Sequence, residues 1–281
     1  MTYSNLYEYG RLSLEEAGIE EANLDARLLL EAVCNTDRNM LLVHGDCNIS
    51  LEETQTYVNH ILKRKTHVPL QYILGSQEFM GLTFLVSENV LIPRQDTEVL
   101  VEEAMKYLHD GMRVLDMCTG SGCILLSLLH YSNDCTGVGA DISADALSVA
   151  KENARNLSIE ADFIESDLFD KIDGIFDMIV SNPPYIQTEV IKTLSEEVKV
   201  HEPMIALDGH EDGMYFYKKI ITDCKTHLYR GGRLLFEIGY DQSETVSKRL
   251  QQAGFKEVEV IKDLAGLDRV VTGIFLEDKD V

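Results

Sequence analysis

Val114-Leu115-Asp116-Met117-Cys118-Thr119-Gly120-Ser121-Gly122-Cys123-Ile124 decides the fold of this chain. The stretch opens as a short apolar run, passes through a Gly-Ser-Gly turn and continues into a second apolar run. Strand, tight turn and helix follow one another in that order. Gly120 and Gly122 permit close approach of a ligand to the backbone, and the start of a helix offers N–H groups without intrahelical partners. Leu125 stands where a dinucleotide fingerprint needs its third glycine, which argues against NAD.

Downstream, the rhythm of strand and helix repeats. Strands are predicted at Arg113–Asp116, Thr136–Asp141, Ala161–Ile164, Phe176–Ser181, Arg233–Ile238, Lys256–Ile261 and Arg269–Leu276. Helices are expected near 122–131, 144–156, 189–197, 213–228 and 241–253. Such alternation implies an α/β fold, a Rossmann-like, mostly parallel seven-stranded sheet covered on both faces. Only Lys262–Asp268 separates the last two strands, too little for a crossover helix, so the last strand is expected to run antiparallel.

Upstream the pattern is helical. Asn23 precedes an amphipathic run (Leu24, Ala26, Leu28, Leu29, Val33), and Ser50 with Glu53 forms a capping box. His67-Val68-Pro69 ends the last helix of this part. Residues 1–75 therefore read as a small helical domain, of a kind that serves partner recognition or packing, and 76–96 as a β-hairpin linker built on Phe79, Met80, Leu82, Phe84 and Val86 around Gly81. Residues 97–281 form the larger domain, opening with a helix over Thr97–Leu108 capped by Asp96 or Thr97.

Composition narrows the function. Lys and Arg number 25 against 48 Asp and Glu, a net charge of −23, which disfavours a nucleic-acid substrate. The one dense basic run, Lys63-Arg64-Lys65, reads as the solvated end of a helix. Six scattered cysteines show no CxxC pair or metal spacing, so reduced thiols and no metal are expected. With no apolar run near ~18 residues and no signal segment, the chain is expected in the cytoplasm, away from membranes.

Three acidic residues close the first three strands of the alternating part. Asp116 suits a cationic ligand or holds the glycine loop, Asp141 is placed for ribose hydroxyls, and Asp167 for an adenine amino group. Helix-capping and turn aspartates look the same. Without a phosphate-binding lysine, the set suits a positively charged nucleoside, and the sulfonium of S-adenosylmethionine meets that description. Asn182-Pro183-Pro184-Tyr185 ends the fourth strand. Two prolines hold the backbone extended and lack N–H donors, so the Asn182 side-chain oxygen and the Pro183 carbonyl form a pair of fixed acceptors for a planar NH2 group. Tyr185 is placed to lay its ring against that group.

With these motifs the chain resembles the class I S-adenosylmethionine methyltransferases, and more closely the release-factor glutamine N5-methyltransferases (the PrmC/HemK family). The resemblance covers nearly the whole chain. It is carried by Pro69-Leu70-Gln71-Tyr72-Ile73-Leu74-Gly75, Ile92-Pro93-Arg94-Gln95-Asp96-Thr97-Glu98, the glycine loop and Asn182–Tyr185. His201-Glu202-Pro203, Ala206-Leu207-Asp208-Gly209 with Gly213, Glu237-Ile238-Gly239 with Gln242, and Asp263-Leu264-Ala265-Gly266 with Asp268-Arg269 also fit. The resemblance implies cofactor contacts from Asp116, Cys118, Thr119, Gly120, Ser121, Gly122, Asp141, Asp167, Leu168 and Asn182, and substrate contacts from Asn182, Pro183, Pro184 and Tyr185. Cys118 stands where many relatives carry Gly, which a small residue satisfies outside the left-handed region. Leu168 replaces an aromatic residue of some relatives.

The implied reaction is methyl transfer to the glutamine of the Gly-Gly-Gln motif in peptide chain release factors, by a protein expected to be monomeric and not to bind DNA, with residues 1–75 as the substrate-recognition domain. Asn182, Pro183 and Tyr185 are the expected catalytic group, acting by orientation with no general base. Methylation of an adenine, cytosine or guanine amino group is the alternative, since the Asn-Pro-Pro-Tyr motif is shared with such enzymes.

Overall fold

The computed structural model describes residues 1–276; residues 277–281, the end of the second domain as read from sequence, lie outside the described residues. Two compact units emerge, Met1–Ser76 with Ser195–His201, and Gln77–Leu194 with Glu202 onward.

The first unit contains α1 (Tyr3–Glu16), α2 (Ala22–Cys34), α3 (Arg38–Val43), α4 (Leu51–Arg64) and α5 (Leu70–Leu74). Their core gathers Leu6, Leu14, Leu29, Leu30, Tyr57 and Ile61. The capping box at Ser50 and Glu53 is formed in both directions. Asn23 is not a cap: α2 starts at Ala22, and the Asn23 side chain instead accepts from the Tyr7 hydroxyl.

Arg64 corrects the reading of the basic run. It follows Tyr57 and Ile61 at helical spacing on the buried face of α4, and its guanidinium donates to Asp25 Oδ2 at 2.6 Å and to Glu197. Glu197 comes from Ser195–His201, a segment far along the chain. The helix expected over 189–197 is for that reason cut short: only Thr188–Ile191 is α-helical, and Glu197–His201 forms a π-helical turn whose His201 Nε2 meets the Thr66 carbonyl at 2.9 Å.

The second unit runs β1 (Ser76–Phe79), β2 (Leu82–Leu85), α6 (Gln95–Met105), β3 (Arg113–Met117), α7 (Cys123–Tyr131), β4 (Thr136–Asp141), α8 (Ala144–Leu157), β5 (Asp162–Glu165) and β6 (Phe176–Ser181). It continues through α9 (Thr188–Ile191), α10 (Met204–Leu207), α11 (Tyr215–Asp223), β7 (Leu228–Glu237), α12 (Ser243–Gln252), β8 (Phe255–Lys262) and β9 (Asp268–Phe275). The β1–β2 hairpin packs Phe79 and Phe84 into the core of this unit, beside Leu100 and Val101 of α6. Helix α6 begins at Gln95, two residues early, so neither Asp96 nor Thr97 caps it and Thr97 is buried instead. Strand β7 begins at Leu228 rather than Arg233, because Gly231 and Gly232 sit in an irregular stretch of strand and not in a turn.

Strand order is β5-β4-β3-β6-β7-β9-β8, with β9 antiparallel to both neighbours and the other adjacent pairs parallel. From β3 the chain builds outward to β4 and β5, then returns to place β6 on the opposite side of β3. The switch of direction opens a crevice at the carboxyl ends of β3 and β6. Alternation along the strands divides the core: Leu115, Met117, Ile179, Leu234 and Phe236 face α11 and α12, while Val114, Met178, Val180 and Leu235 face α6 and α7.

After β3 the glycine loop takes left-handed conformations at Cys118 (φ 64°), Gly120 (φ 54°) and Gly122 (φ 79°). Cys118 therefore lies in the region that favours glycine, contrary to the expectation from sequence. Beneath the loop, Asp116 Oδ2 accepts from the Thr119 hydroxyl at 2.6 Å and from the Leu125 amide at 3.2 Å. Complete burial pushes this carboxyl up to about 7, against the pull of the Thr119 and Leu125 hydrogen bonds.

Cys118→Gly should relieve about 1–2 kcal/mol of left-handed strain while adding a similar entropy to the unfolded chain. Its chemical denaturation midpoint should lie close to wild type, whereas β-branched Cys118→Val should unfold at clearly lower denaturant. Because the Asp116 carboxyl is raised on folding, its proton stabilises the fold at low pH, and that contribution fades as pH climbs from about 4 to about 7, by up to ~1.4 kcal/mol per pH unit. Asp116→Asn keeps an acceptor for both donors and loses the titration. Its stability relative to wild type, from urea melts, should therefore rise across that window and level off above it.

Candidate functional site

A cavity of about 290 Å³ occupies the crevice at the switch point, close to the lower end of the roughly 300–1,000 Å³ range of small-molecule sites. Of the residues singled out from sequence, Cys118, Thr119, Gly120, Ser121, Asp141, Asp167, Leu168, Asn182 and Pro184 line it. Asp116, Gly122, Pro183 and Tyr185 do not. Asp116 is fully buried behind the loop, so holding the loop is the role its position supports. Gly122 caps α7, and a Cβ there would press on Ala150 and Leu126 at 3.3 Å.

Asp141 ends β4 and bridges two segments. Its Oδ2 accepts from the Gly120 amide and its Oδ1 from the Ser143 amide, both at 2.9 Å. Burial raises its carboxyl, and the amides of Ser143, Gly120 and Ile142 oppose the rise. Ser143 caps α8, through its hydroxyl and the Ala146 amide, which leaves Asp141 free of that task. Each carboxylate oxygen retains a lone pair beside the cavity. Asp167 is exposed at the rim, and Leu168 next to it is buried in a left-handed conformation (φ 49°), its carbonyl held by the Ser166 hydroxyl at 2.7 Å.

Asn182 leaves β6 beside the glycine loop because Ser181 pairs with Met117 in register, and the Ser181 hydroxyl donates to the Met117 carbonyl at 2.6 Å. Its Nδ2 points to Thr97 Oγ1 at 3.4 Å. Among the described residues no donor reaches the Pro183 carbonyl. Tyr185 departs from the ring-on-ligand expectation: its hydroxyl donates to Glu237 Oε1 at 3.2 Å, and its carbonyl accepts from Gln242 Nε2 at 3.0 Å. The hydroxyl thereby anchors the motif to the end of β7, and the carbonyl to the residue that caps α12. Gly209 packs flat on this backbone, where a Cβ would come within 2.7 Å of the Tyr185 Cα.

Thr97, Glu237 and the ion pairs behind them were not singled out as site residues from sequence. Glu237 is buried at the carboxyl end of β7, on the same side of the sheet as Leu235. Burial pushes its carboxyl up, while the Thr97 hydroxyl, the Arg269 charge and the Tyr185 hydroxyl pull it back. Arg269 pairs with Asp263 at 3.0 Å and Asp96 at 3.1 Å. The signal available was a glutamate ending an apolar run, Leu234-Leu235-Phe236-Glu237, where a buried charge demands partners. Arg94 lines the cavity and pairs with buried Glu202, and Glu98 accepts from the Met80 amide at 2.7 Å to tie the hairpin turn to α6. His210 also lines the cavity, packed on Tyr215 and Phe216. Cys118 and Cys123 stay thiols: burial holds the first well above its ordinary value and lifts the second to about 12. Among the described residues no group of His, Cys, Asp and Glu could hold a metal ion.

The chain that builds this site is similar over most of its length to known proteins. The family model described as the PrmC N-terminal domain matches residues 5–75, and the one described as the methyltransferase small domain matches 94–207. The release factor glutamine methyltransferase of Clostridium botulinum is 43% identical over 265 residues, 92% of this chain and 94% of that protein. Its counterpart in Caulobacter vibrioides is 40% identical over 266 residues, 93% of this chain and 92% of that protein. Among solved structures, a methyltransferase from Pyrococcus furiosus superposes with a TM-score of 0.53 at 16% identity, covering 69% of this chain and 89% of that one. The ribosomal protein L11 methylase of Lactobacillus delbrueckii subsp. bulgaricus gives 0.51 at 19% identity, covering 68% and 84%; these two likenesses speak to the fold alone. By the identity and coverage of its relatives, this chain belongs to the release factor glutamine methyltransferase family.

Proposed function

We propose that this protein methylates the side-chain amide nitrogen of the glutamine in the Gly-Gly-Gln motif of peptide chain release factors, with S-adenosylmethionine as methyl donor. The observation that carries the reading is the orientation of Asn182, whose NH2 end is turned to Thr97, leaving Oδ1 for the cavity that the glycine loop, Asp141 and Asp167 also line.

The lining fits the donor. The space beside Gly120 is open, with no atom within 4 Å of a Cβ built there, so a ligand can lie against the loop backbone. Asp141 keeps acceptor capacity for ribose hydroxyls, Asp167 stands at the rim for an adenine amino group, and Leu168 offers an apolar surface. Among the described residues no lysine lines the cavity, as suits a ligand without a phosphate chain. When bound, S-adenosylmethionine supplies an electrophilic methyl group.

The protein's task is to present the nucleophile. An amide nitrogen is poor in that role because its lone pair is shared with the carbonyl. Asn182 Oδ1 and the Pro183 carbonyl each accept one hydrogen of the substrate NH2, which fixes the amide plane. As positive charge develops on nitrogen both hydrogen bonds strengthen, so they favour the transition state over the ground state. The methylated nitrogen is acidic enough to lose its extra proton to water, and no histidine is required as base. Tyr185 and Gln242 hold the motif still, so the acceptors need no reorganisation.

The same acceptor pair suits a nucleobase amino group. Against that stand the net charge of −23 and a cavity whose one guanidinium, on Arg94, is paired with Glu202. Among the described residues no helix is long and apolar enough to cross a membrane. We place the protein in the cytoplasm, with its substrate.

Asn182→Ala should lower kcat by roughly 10²–10³-fold, the usual loss for one preorganised hydrogen-bonding group, and shift the dissociation constant for S-adenosylmethionine only slightly by calorimetry. Near-normal turnover would sink the clamp. Incubation of the protein with labelled methyl donor and either release factor or nucleic acid should label the release factor alone, with the mass of one methyl on the Gly-Gly-Gln peptide.

A further inference from the structure

Leu264 stands fully exposed on the turn that joins β8 to β9, yet the turn beneath it is firmly fixed. The Asp263 amide donates to the Leu267 carbonyl at 2.8 Å, and the Gly266 amide to the Asp263 carbonyl at 3.0 Å. Asp263 Oδ1 accepts from the Leu267 amide at 2.9 Å, and Oδ2 from Arg269 Nε and Nη2 at 3.2 and 3.0 Å. Lys262 Nζ donates to the Gly266 carbonyl at 2.9 Å. Gly266 supplies the left-handed residue (φ 81°) of the turn. Asp263-Leu264-Ala265-Gly266 thus uses its polar groups to hold its own shape and leaves the leucine outside. Neither the cofactor site nor the amide clamp draws on this motif.

A lone exposed leucine is ordinary on a protein surface. This one has company. Strands β7 and β9 pair in antiparallel register, Glu237 with Val270, and the Ile238 amide donates to the Arg269 carbonyl at 2.9 Å. Continued past the strand ends, that register brings Tyr240 alongside Leu267. The Ser243 hydroxyl donates to Asp268 Oδ2 at 2.6 Å and ties the turn after β7 to the hairpin. Tyr240 and Leu267 are 63% and 44% exposed, so three large apolar side chains lie open on two turns that are bonded together. The two cations of the hairpin turn are already engaged, Lys262 with Asp268 at 2.9 Å and Arg269 with Asp263 and Asp96. Apolar area flanked by neutralised cations suits a protein surface better than a nucleic acid.

The patch lies at the end of the sheet where Asn182 stands. Strands β6 and β7 are parallel, so Asn182 follows one and Tyr240 the other at the same end, and the β8–β9 turn is beside them. In the strand order β6-β7-β9, two strand spacings, roughly 10 Å, separate β6 from β9. A protein that inserts a side chain to reach Asn182 covers about 800 Å² of this end in a standard interface, a disc of roughly 16 Å radius. The patch falls inside that footprint. We infer that Tyr240, Leu264 and Leu267 form a docking surface for the release factor itself, received by an apolar depression on the face that carries its Gly-Gly-Gln loop. The inference rests on the substrate reading above and extends it from the glutamine to the protein around it. Because the turn is fixed before contact, the leucine is presented without the ordering cost that a loose loop incurs.

A fully exposed side chain supports no core, so its substitution tests recognition and leaves the fold alone. With full-length proteins acting on intact release factor, Leu264→Asp should raise KM for the release factor ~10-fold or more, and Leu264→Ala about 5-fold, as truncation of an apolar anchor does. Wild-type kcat and an unchanged dissociation constant for S-adenosylmethionine are expected in both. Ile175→Asp is the control, because Ile175 is also exposed but precedes β6, at the opposite end of the sheet; its KM should match wild type. Circular dichroism melts confirm folding, and if Leu264→Asp unfolds early, Leu264→Ala decides. An unchanged KM in folded Leu264→Asp overturns the inference, as does an equal rise in Ile175→Asp or a parallel loss of affinity for S-adenosylmethionine. The wild-type protein distinguishes the two levels. If it leaves the release factor unmethylated, the substrate reading has failed; if it methylates the factor and Leu264→Asp does so with the same KM, only the docking surface has failed.

Discussion

The pairing of β3 with β6 is the constraint on which the rest of the molecule depends. These strands are separated in sequence by two helices and two strands, yet Val114 to Met117 lie in parallel register with Met178 to Ser181. The chain reverses its direction of travel across the sheet to make this contact, and at such a reversal the connecting loops part instead of covering the strand ends. A glycine loop from one strand and an asparagine from the other are brought to the same opening. The Ser181 hydroxyl on the Met117 carbonyl fixes their relative height, because a slip of register would carry that bond, and Asn182, out of place.

The two faces of the sheet have different characters near the opening. Toward α11 and α12 the strand ends offer Met117 and Phe236, which pack as ordinary core. Toward α6 and α7 they offer Asp116 and Glu237, both buried and both made weaker acids by loss of water. Each carboxyl accepts from a hydroxyl, that of Thr119 for Asp116 and that of Tyr185 for Glu237. Neither lines the cavity, but Thr119 does, and Tyr185 ends the motif whose Asn182 does. One faces the glycine loop and the other the asparagine, so the supporting polar layer sits behind the lining and keeps its geometry while leaving the cavity surface available.

Much of the fold was legible because local pattern and tertiary packing agree there. Strands at Thr136–Asp141 and Phe176–Ser181 were read to the residue, since each is an apolar run bounded by turn residues and buried on both sides. The short connection before β9 forced its antiparallel direction. The failures fall where a distant partner overrides local preference. Arg64 looked solvated because its neighbours are lysines, and only the partners on α2 and at Glu197 explain its burial. Cys118, expected outside the left-handed region although it stands where relatives carry Gly, lies within it, because conformation at a single non-glycine position is imposed by the loop around it. At the candidate site, the residues that line the cavity were found through motif and strand position. Thr97 was read as a helix cap, and Glu237 was given no role at the site, because their partners, Asn182 and Tyr185, lie far along the chain.

The exchange of residues between the two compact units has a topological consequence. Ser195–His201 lies between two segments of the second unit but is counted in the first, where Glu197 meets Arg64. The helical unit is therefore discontinuous in sequence, and no single cut of the polypeptide releases it whole. A chain severed at residue 76 would carry Glu197 and the π-helical turn away on the larger piece, and would leave the Arg64–Asp25 pair short of one carboxylate in the smaller. Gene-level shuffling of the helical unit would meet the same obstacle, which makes the two parts easier to inherit together than to recombine.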